Sequence, residues 1–426
     1  MRDLSDELFE TLVEDTDRAP DLSDAQQAAE PRNFLRHVWA LSFSKLADGL
    51  VNPKLVLSWL LAHLGAGALW TGLLVPVREA GALLPQLVIS GAVHGMARRK
   101  RAWAAGSAGQ GLAAIGMVAV GLTLTGPLAG ALVVGLLALL ALSRSVCSVS
   151  YKDVLGKTVG KTRRGAATGA AASTASTGVI LFALALILDL GDRLVLVLGA
   201  LTLAAAAWLI AAVAMVLMRE EAQPGEALSA RQSIAQLSIL TDRPQLARFI
   251  AARAALVGTA LAPPYLVLLA SGENAARQLG ALLLASAVAS FLSSFVWGRL
   301  SDRSARRVLI LSGLAGAASL GLALAVDGAG LSGTSWAIPV VLFLLMVAYH
   351  GVRMARSTYL VDMARPDDRA TYTAVSNTLV GLFLLLAGAV SAGLAAMSVP
   401  LALWAFLVMS LAGAWIAAGL DEVEHG

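Results

Sequence analysis

The chain has 426 residues, 58% hydrophobic and 14% charged, with a mean hydropathy of +0.74, whereas a soluble globular domain carries roughly 25% charged residues. Its formal charge is +4, but the basic residues sit in short loops between apolar runs, where they report membrane orientation rather than nucleic-acid binding. A single cysteine, Cys147, excludes an intrachain disulfide and any metal site built from several cysteines.

The first 31 residues hold ten acids, from Asp3 to Glu30. They read as part of a solvated, mostly disordered cytoplasmic leader over 1–40, in which Leu4, Leu8, Leu12 and Val13 offer one short amphipathic helix. The first apolar run starts only near Leu41, which argues against a cleaved secretory signal. From there, stretches of about 20 apolar residues recur, each able to cross a hydrocarbon core about 30 Å thick. They fall at 42–64, 70–94, 103–123, 128–150, 166–188 and 194–217, then at 247–270, 276–298, 307–326, 336–360, 371–396 and 400–419.

Alternate loops collect the positive charge: Arg98 to Arg101, then Lys152 to Arg164, then Arg299 to Arg307, then Arg365 and Arg369. The intervening loops hold only Arg193 and Arg277. This bias places both termini in the cytoplasm and requires an even number of spans. Tryptophans agree, with Trp70 and Trp336 expected at the outer interface and Trp103, Trp297 and Trp415 at the inner one.

The longest internal polar segment follows the sixth span, so 219–245 reads as a cytoplasmic linker between bundles at 41–218 and 246–420, with a tail at 421–426. Ile234, Leu237 and Leu240 suggest that part of the linker lies on the membrane surface. An internal repeat supports the division. Arg144 and Arg353, and Asp153 and Asp362, each stand 209 residues apart, and the basic pairs Arg99-Lys100 and Arg306-Arg307 stand 207 apart. Pro53 and Pro263 recur at a near-equal offset in the first and seventh spans. The expected fold is an all-α integral membrane protein of twelve transmembrane helices in two pseudo-symmetric six-helix bundles.

Between the eighth and ninth spans the sequence runs Gly298-Arg299-Leu300-Ser301-Asp302-Arg303-Ser304-Ala305-Arg306-Arg307. It resembles the Gly-x-x-x-Asp-Arg-x-x-Arg-Arg loop of the major facilitator superfamily; the first-half counterpart, Gly91 to Arg101, has Gly95 in place of the aspartate. The loop from Val361 and Asp362 to Asp368 and Arg369 resembles that family too. The resemblance implies alternating access between two rigid bundles, with a solute site near the bilayer midplane lined by spans one, four, seven and ten. Arg144 stands near where many proton antiporters of the family carry an arginine in the fourth span, without their downstream glycine.

Ionisable residues inside a bilayer are expensive, roughly 2.5–3.5 kcal/mol each at a helix centre, and face a cavity or a partner. Here they are Lys45, Asp48, Lys54 and His63 in the first span, Arg78 and Glu79 in the second, Arg144 in the fourth, Arg248 and Arg253 in the seventh, and His350, Arg353 and Arg356 in the tenth. Lys54, Arg78, Glu79 and His350 count out near mid-span; Asp48, Arg144, Arg253 and Arg353 lie nearer the cytoplasm. The excess of cations suggests that Lys54 and Arg78 hold an anionic group of the solute while Glu79 carries or gates a proton. The alternative is a Lys54–Glu79 or Arg78–Glu79 ion pair that only joins spans. His350 is either a proton relay or a packing histidine. Arg144, Asp153, Arg353 and Asp362 read as cytoplasmic latches, and the small-residue runs 165–178 and 281–294 as contacts between the halves.

Gly156-Lys157-Thr158 and Gly160-Lys161-Thr162 imitate a phosphate-binding loop, but the glycine required five residues upstream is Tyr151 or Leu155. No nucleophile-histidine-acid set or metal cluster emerges, so the chain reads as a non-enzyme without cofactor or metal. The expectation is a monomeric, proton-coupled secondary transporter of a small organic solute, an anion being the candidate class, in the cytoplasmic membrane, with lipid and protons as its other partners and no nucleic acid. The alternatives are an efflux pump for amphiphilic drugs or metabolites, and a receptor or assembly factor on the same fold.

Overall fold

The computed structural model describes residues 8–11, 13, 22–86, 89, 92–93, 95–160, 163–188, 190–222, 239–270, 275–301, 303–364 and 369–423. In hydrocarbon, backbone N–H and C=O groups must be satisfied within the segment itself, and each long apolar stretch is accordingly a helix. The N-terminal half comprises α1 (Asp24–Val51), α2 (Val56–His63), α3 (Ala68–Leu83), α4 (Lys100–Thr123), α5 (Gly126–Thr158), α6 (Arg164–Ile187) and α7 (Arg193–Val216). The C-terminal half comprises α8 (Pro244–Ala255), α9 (Gly258–Leu261), α10 (Pro263–Leu269), α11 (Ala275–Ser301), α12 (Ala305–Gly328), α13 (Ala337–Met363), α14 (Arg369–Met397) and α15 (Val399–Ala418). Taking α1 with α2, and α8 with α9 and α10, as one span each gives six spans per half. By length and composition eight helical stretches qualify to cross a membrane, and the fifth and eighth spans add the shorter apolar stretches Thr174–Ile187 and Gln278–Ser293.

Both split spans break at proline. Pro53 has no N–H to continue α1, and Asn52 rebuilds the turn: its carbonyl accepts the N–H groups of Leu55, Val56 and Leu57 at 2.9–3.3 Å, and its Oδ1 accepts that of Lys54 at 3.1 Å. Ser58 Oγ donates to the carbonyl of Pro53 at 2.9 Å. In the seventh span Pro263 starts α10, and Thr259 Oγ1 donates to the carbonyl of Leu256 at 2.9 Å. At the first of these breaks, side chains thus take over hydrogen bonds around a proline inside the membrane.

Packing repeats between the halves: α4 lies on α5 and α7 as α12 lies on α13 and α15, and α3 lies on α5 as α11 lies on α13. The bundles meet along two seams, α3 against α14 and α6 against α11. Small residues allow these approaches. A Cβ at Gly388 would overlap the Pro76 ring, and one at Gly280 would lie 3.0 Å from the Ala183 carbonyl oxygen. Gly178, at the end of one small-residue run, instead packs on Leu46 of the first span. Trp336 and Trp415 are exposed as interface residues should be, whereas Trp297 is buried and donates its indole N–H to the Val347 carbonyl at 2.9 Å. The linker positions Ile234 and Leu237 lie outside the described residues; Leu240 falls in a short helical turn, Ile239–Asp242.

The leader expectation needs correction. Residues 8–11 are already helical, a long helix begins at Asp24 with Ser23 as its N-cap, and Asn33, Phe34, His37 and Ala40 are wholly buried. The acids read as solvated include Glu30, which accepts Arg163 Nη1 at 2.5 Å and the Gly160 N–H at 2.8 Å, both partners of the pair being 4% exposed. Phe9 covers this pair, 5.4 Å from the Arg163 guanidinium and edge-on to Phe34. Asn33 exchanges two hydrogen bonds with the backbone of Arg219, at 2.9 and 3.0 Å. His37 meets Thr158 Oγ1 at 2.8 Å, and burial holds its imidazole down at about 3, hence neutral. Residues 24–40 are therefore a helical extension of the first span, clamped to the ends of the fourth and sixth. Glu30→Gln, which leaves the Arg163 cation buried without its counter-ion, should cost about 3–5 kcal/mol. Thermal unfolding of purified protein reads this loss, and Glu30→Gln combined with Arg163→Met should recover most of it.

Candidate functional site

The break at Asn52-Pro53 positions the polar centre of the N-terminal half. Asp48, one turn before it on α1, faces α3 and α5: its Oδ1 accepts Arg78 Nη2 at 2.8 Å, and its Oδ2 accepts Arg144 Nη1. One carboxylate thus serves two guanidinium groups. Neither ion pair expected for Glu79 forms among the described residues, because Arg78 turns to Asp48 instead. Arg144 likewise makes no latch with Asp153, which pairs with Arg99 and, at 3.1 Å, with Lys157 one turn along α5.

Lys54, just beyond the break, reaches across the halves. Its Nζ stands 3.5 Å from the ring centroid of Tyr349 on α13, a cation–π contact. Arg253 on α8 is buried and donates Nη1 to Ser376 Oγ at 2.7 Å and Nη2 to Asn377 Oδ1 at 2.9 Å, both on α14. Arg253, Thr259, Tyr349, Arg353 and Arg356 line a cavity of about 30 Å³. Glu79, half-buried on α3, feels the positive charges of Lys54, Arg78, Arg356 and Arg353 without forming an ion pair to any of them among the described residues. Next to Tyr349, His350 keeps a buried Nε2 with no hydrogen-bond partner.

The structure therefore brings Asp48, Lys54, Arg78, Glu79, Arg144, Arg253, Arg353 and Arg356 to one place between the halves. Tyr349, Ser376 and Asn377 were not legible as partners, since neutral hydroxyl and amide groups in apolar helices carry no charge signal. Counted together, Lys54, Arg78, Arg144, Arg253, Arg353 and Arg356 face Asp48 and Glu79 as the only acids among the described residues.

At the basic loops, Asp302 lies outside the described residues, as do Gly91, Arg365 and Asp368. Gly298 ends α11 near Arg299, Arg303 is exposed, Asp362 closes α13, and Arg369 opens α14. Arg306 Nη2 donates to the Ala418 carbonyl at 2.7 Å, and Glu422 stands 3.5 Å from Arg306 Nη1 and 3.8 Å from Arg307 Nε. In the other half Glu220 accepts the N–H groups of Arg99 and Lys100 at 3.1 and 2.9 Å, and Lys100 Nζ donates to the carbonyls of Val216 and Met218 at 2.8 and 2.5 Å. In each half a carboxylate just after the last span thus closes onto the basic start of the third helix of that half. Sequence reading missed Glu220 and Glu422; their shared place after the sixth and twelfth spans was the available signal.

The geometry defines a class: an all-α membrane protein of two six-helix bundles with a charged centre between them. The sequence profile of the Major Facilitator Superfamily matches residues 249–425. Solved structures extend the likeness over the whole chain. A mutant of the nucleoside transporter NupG superposes with a TM-score of 0.69 at 14% identity, covering 92% of this chain and 100% of that one. The inward-open xylose transporter XylE from E. coli gives 0.62 at 12%, covering 92% and 96%. A POT family transporter in complex with 5-aminolevulinic acid gives 0.65 at 12%, covering 91% and 95%. No curated protein matches the sequence. The C-terminal part of the chain thus resembles the Major Facilitator Superfamily in sequence, and the chain shares the fold of these solved transporters.

Asp48→Asn removes the counter-ion of two cations and Arg144→Gln removes only one partner, itself 39% exposed and screened. Unfolding of the purified variants should show a loss of about 3 kcal/mol for Asp48→Asn against about 1 kcal/mol for Arg144→Gln; equal losses would contradict Asp48 as the shared partner.

Proposed function

We propose that the chain is a secondary active transporter that carries a small organic anion by alternating access and couples it to protons. The observation that carries this reading is the cationic surplus at the junction of the halves: Lys54 and Arg78 from one side, Arg253, Arg353 and Arg356 from the other, with Glu79 among them and in no ion pair among the described residues. A cavity of about 30 Å³ admits little more than water, so entry of a solute requires the seams at α3–α14 and α6–α11 to shift. The split spans supply flexible points near the centre, at Asn52-Pro53 and at Val257 to Pro263.

Coupling follows from charge. Lys54, Arg78, Arg353 and Arg356 surround Glu79 with positive charge. A solute anion that engages Arg353, Arg356 and Lys54 competes for the same positive field, so a proton joins Glu79 as the solute binds. Linkage makes the effect reciprocal: protonation of Glu79 tightens the anion by the same factor. His350 stands beside Lys54's aromatic partner as a second protonatable group on the route. The positive charge of the alternate loops supports a cytoplasmic side for this face and for both termini, in the inner membrane.

In proteoliposomes, wild-type protein should drive alkalinisation of the compartment that supplies the proton when an organic anion gradient is imposed. Glu79→Gln should retain anion binding, read by thermal stabilisation, and lose the proton flux. Unchanged proton-linked flux in Glu79→Gln would remove the carrier role from this residue.

A further inference from the structure

Outside the central site, a groove of about 410 Å³ opens on the outer surface between the start of α4 and the end of α7, a volume in the range of small-ligand sites. Its walls are Ala104, Ala105 and Ala108 on one side and Ala212 and Val216 on the other, with Arg101 at its mouth. The groove is apolar along its length because alanine withdraws side-chain bulk just where the two helices diverge. It sits at the basic ends of the third and sixth spans, where helix gives way to loop, and so at headgroup level with its floor running toward the acyl region.

The charge at the mouth is uncompensated. Nearby acids and carbonyls are already engaged: Glu220 with the N–H groups of Arg99 and Lys100, Asp153 with Arg99 and Lys157, Glu221 with Ser23, and the Val216 carbonyl with Lys100 Nζ. Arg98 and Arg101 are exposed and form no ion pair among the described residues. Burial and the neighbouring charges of Arg98, Arg101 and Arg36 lower the Lys100 ammonium from its ordinary value, against the opposing pull of Glu220.

A lone apolar groove in a bilayer would hold any acyl chain, and a lone arginine any headgroup. Here an alanine-lined channel ends at an unpaired guanidinium, which matches the two ends of one molecule. We propose that this groove retains one anionic phospholipid, its phosphate on Arg101 and an acyl chain along Ala104, Ala105 and Ala108. Arg98 adds long-range attraction, and Lys100 is held away by the helix end it caps.

The full-length protein, purified in mild detergent and equilibrated with equal amounts of phosphatidylglycerol and phosphatidylcholine, should carry one retained phosphatidylglycerol by native mass spectrometry. Arg101→Gln should lower that retention about fivefold, the effect of one interfacial cation. Ala105→Phe, which fills the groove from an exposed helix position, should lower it without changing charge. Arg307→Gln at the opposite basic loop should leave it intact, and reports whether overall charge alone is responsible. Equal retention of the two lipids, no change in Arg101→Gln, an equal loss in Arg307→Gln, or a dimer in place of bound lipid would each overturn the proposal.

Discussion

A carboxylate shared by two guanidinium groups inside a membrane is the constraint from which the centre of this protein is built. Asp48 cannot neutralise both Arg78 and Arg144, and the charge left over is not quenched by Glu79, the only other acid near them among the described residues, which pairs with neither Arg78 nor Lys54. Placing ionised groups in hydrocarbon is costly, so an arrangement that leaves cations in excess persists only where water or a solute meets them. The same arithmetic recurs in the other half: Arg253 donates Nη1 and Nη2 to the neutral groups of Ser376 and Asn377, which orient a guanidinium without cancelling it.

The remainder of the fold holds these charges in register. Two prolines break the spans that carry Asp48, Lys54 and Arg253, and at the first break hydroxyl and amide side chains take over hydrogen bonds around the proline. Seams of small residues keep the halves in contact without welding them, since packing between apolar helices in lipid has no hydrophobic drive and depends on close approach. At one end, Glu220 and Glu422 tie the third helix of each bundle to its last, and Glu30 fastens the extension of the first span. Each bundle is thereby closed within itself, and the freedom that remains lies between bundles.

Much of this was legible in the sequence, for identifiable reasons. Hydrophobic length, loop charge and the 209-residue repeat depend on chain-local physics, and they gave the span number and the division into halves. Charges in apolar helices are rare enough to mark the centre, and Lys54, Arg78, Glu79 and Arg353 do converge there. Pairing was not legible: Arg78 prefers Asp48 over its neighbour Glu79, and Asp153 turns to Arg99, because partners are chosen by three-dimensional reach rather than spacing. The acidic stretch before Leu41 misled for the same reason. Glu30 resembles a solvating residue until the Arg163 that buries it, 133 positions away, is in place.

The most direct test of the cationic centre is the thermal stability of purified protein against a panel of small carboxylates and phosphate esters, neutral sugars and organic cations, at low and high salt. Stabilisation confined to anions, weakened by salt and abolished by Arg353→Gln with Arg356→Gln, is the predicted result. Equal stabilisation by sugars or cations, or anion stabilisation that survives both substitutions, would contradict it.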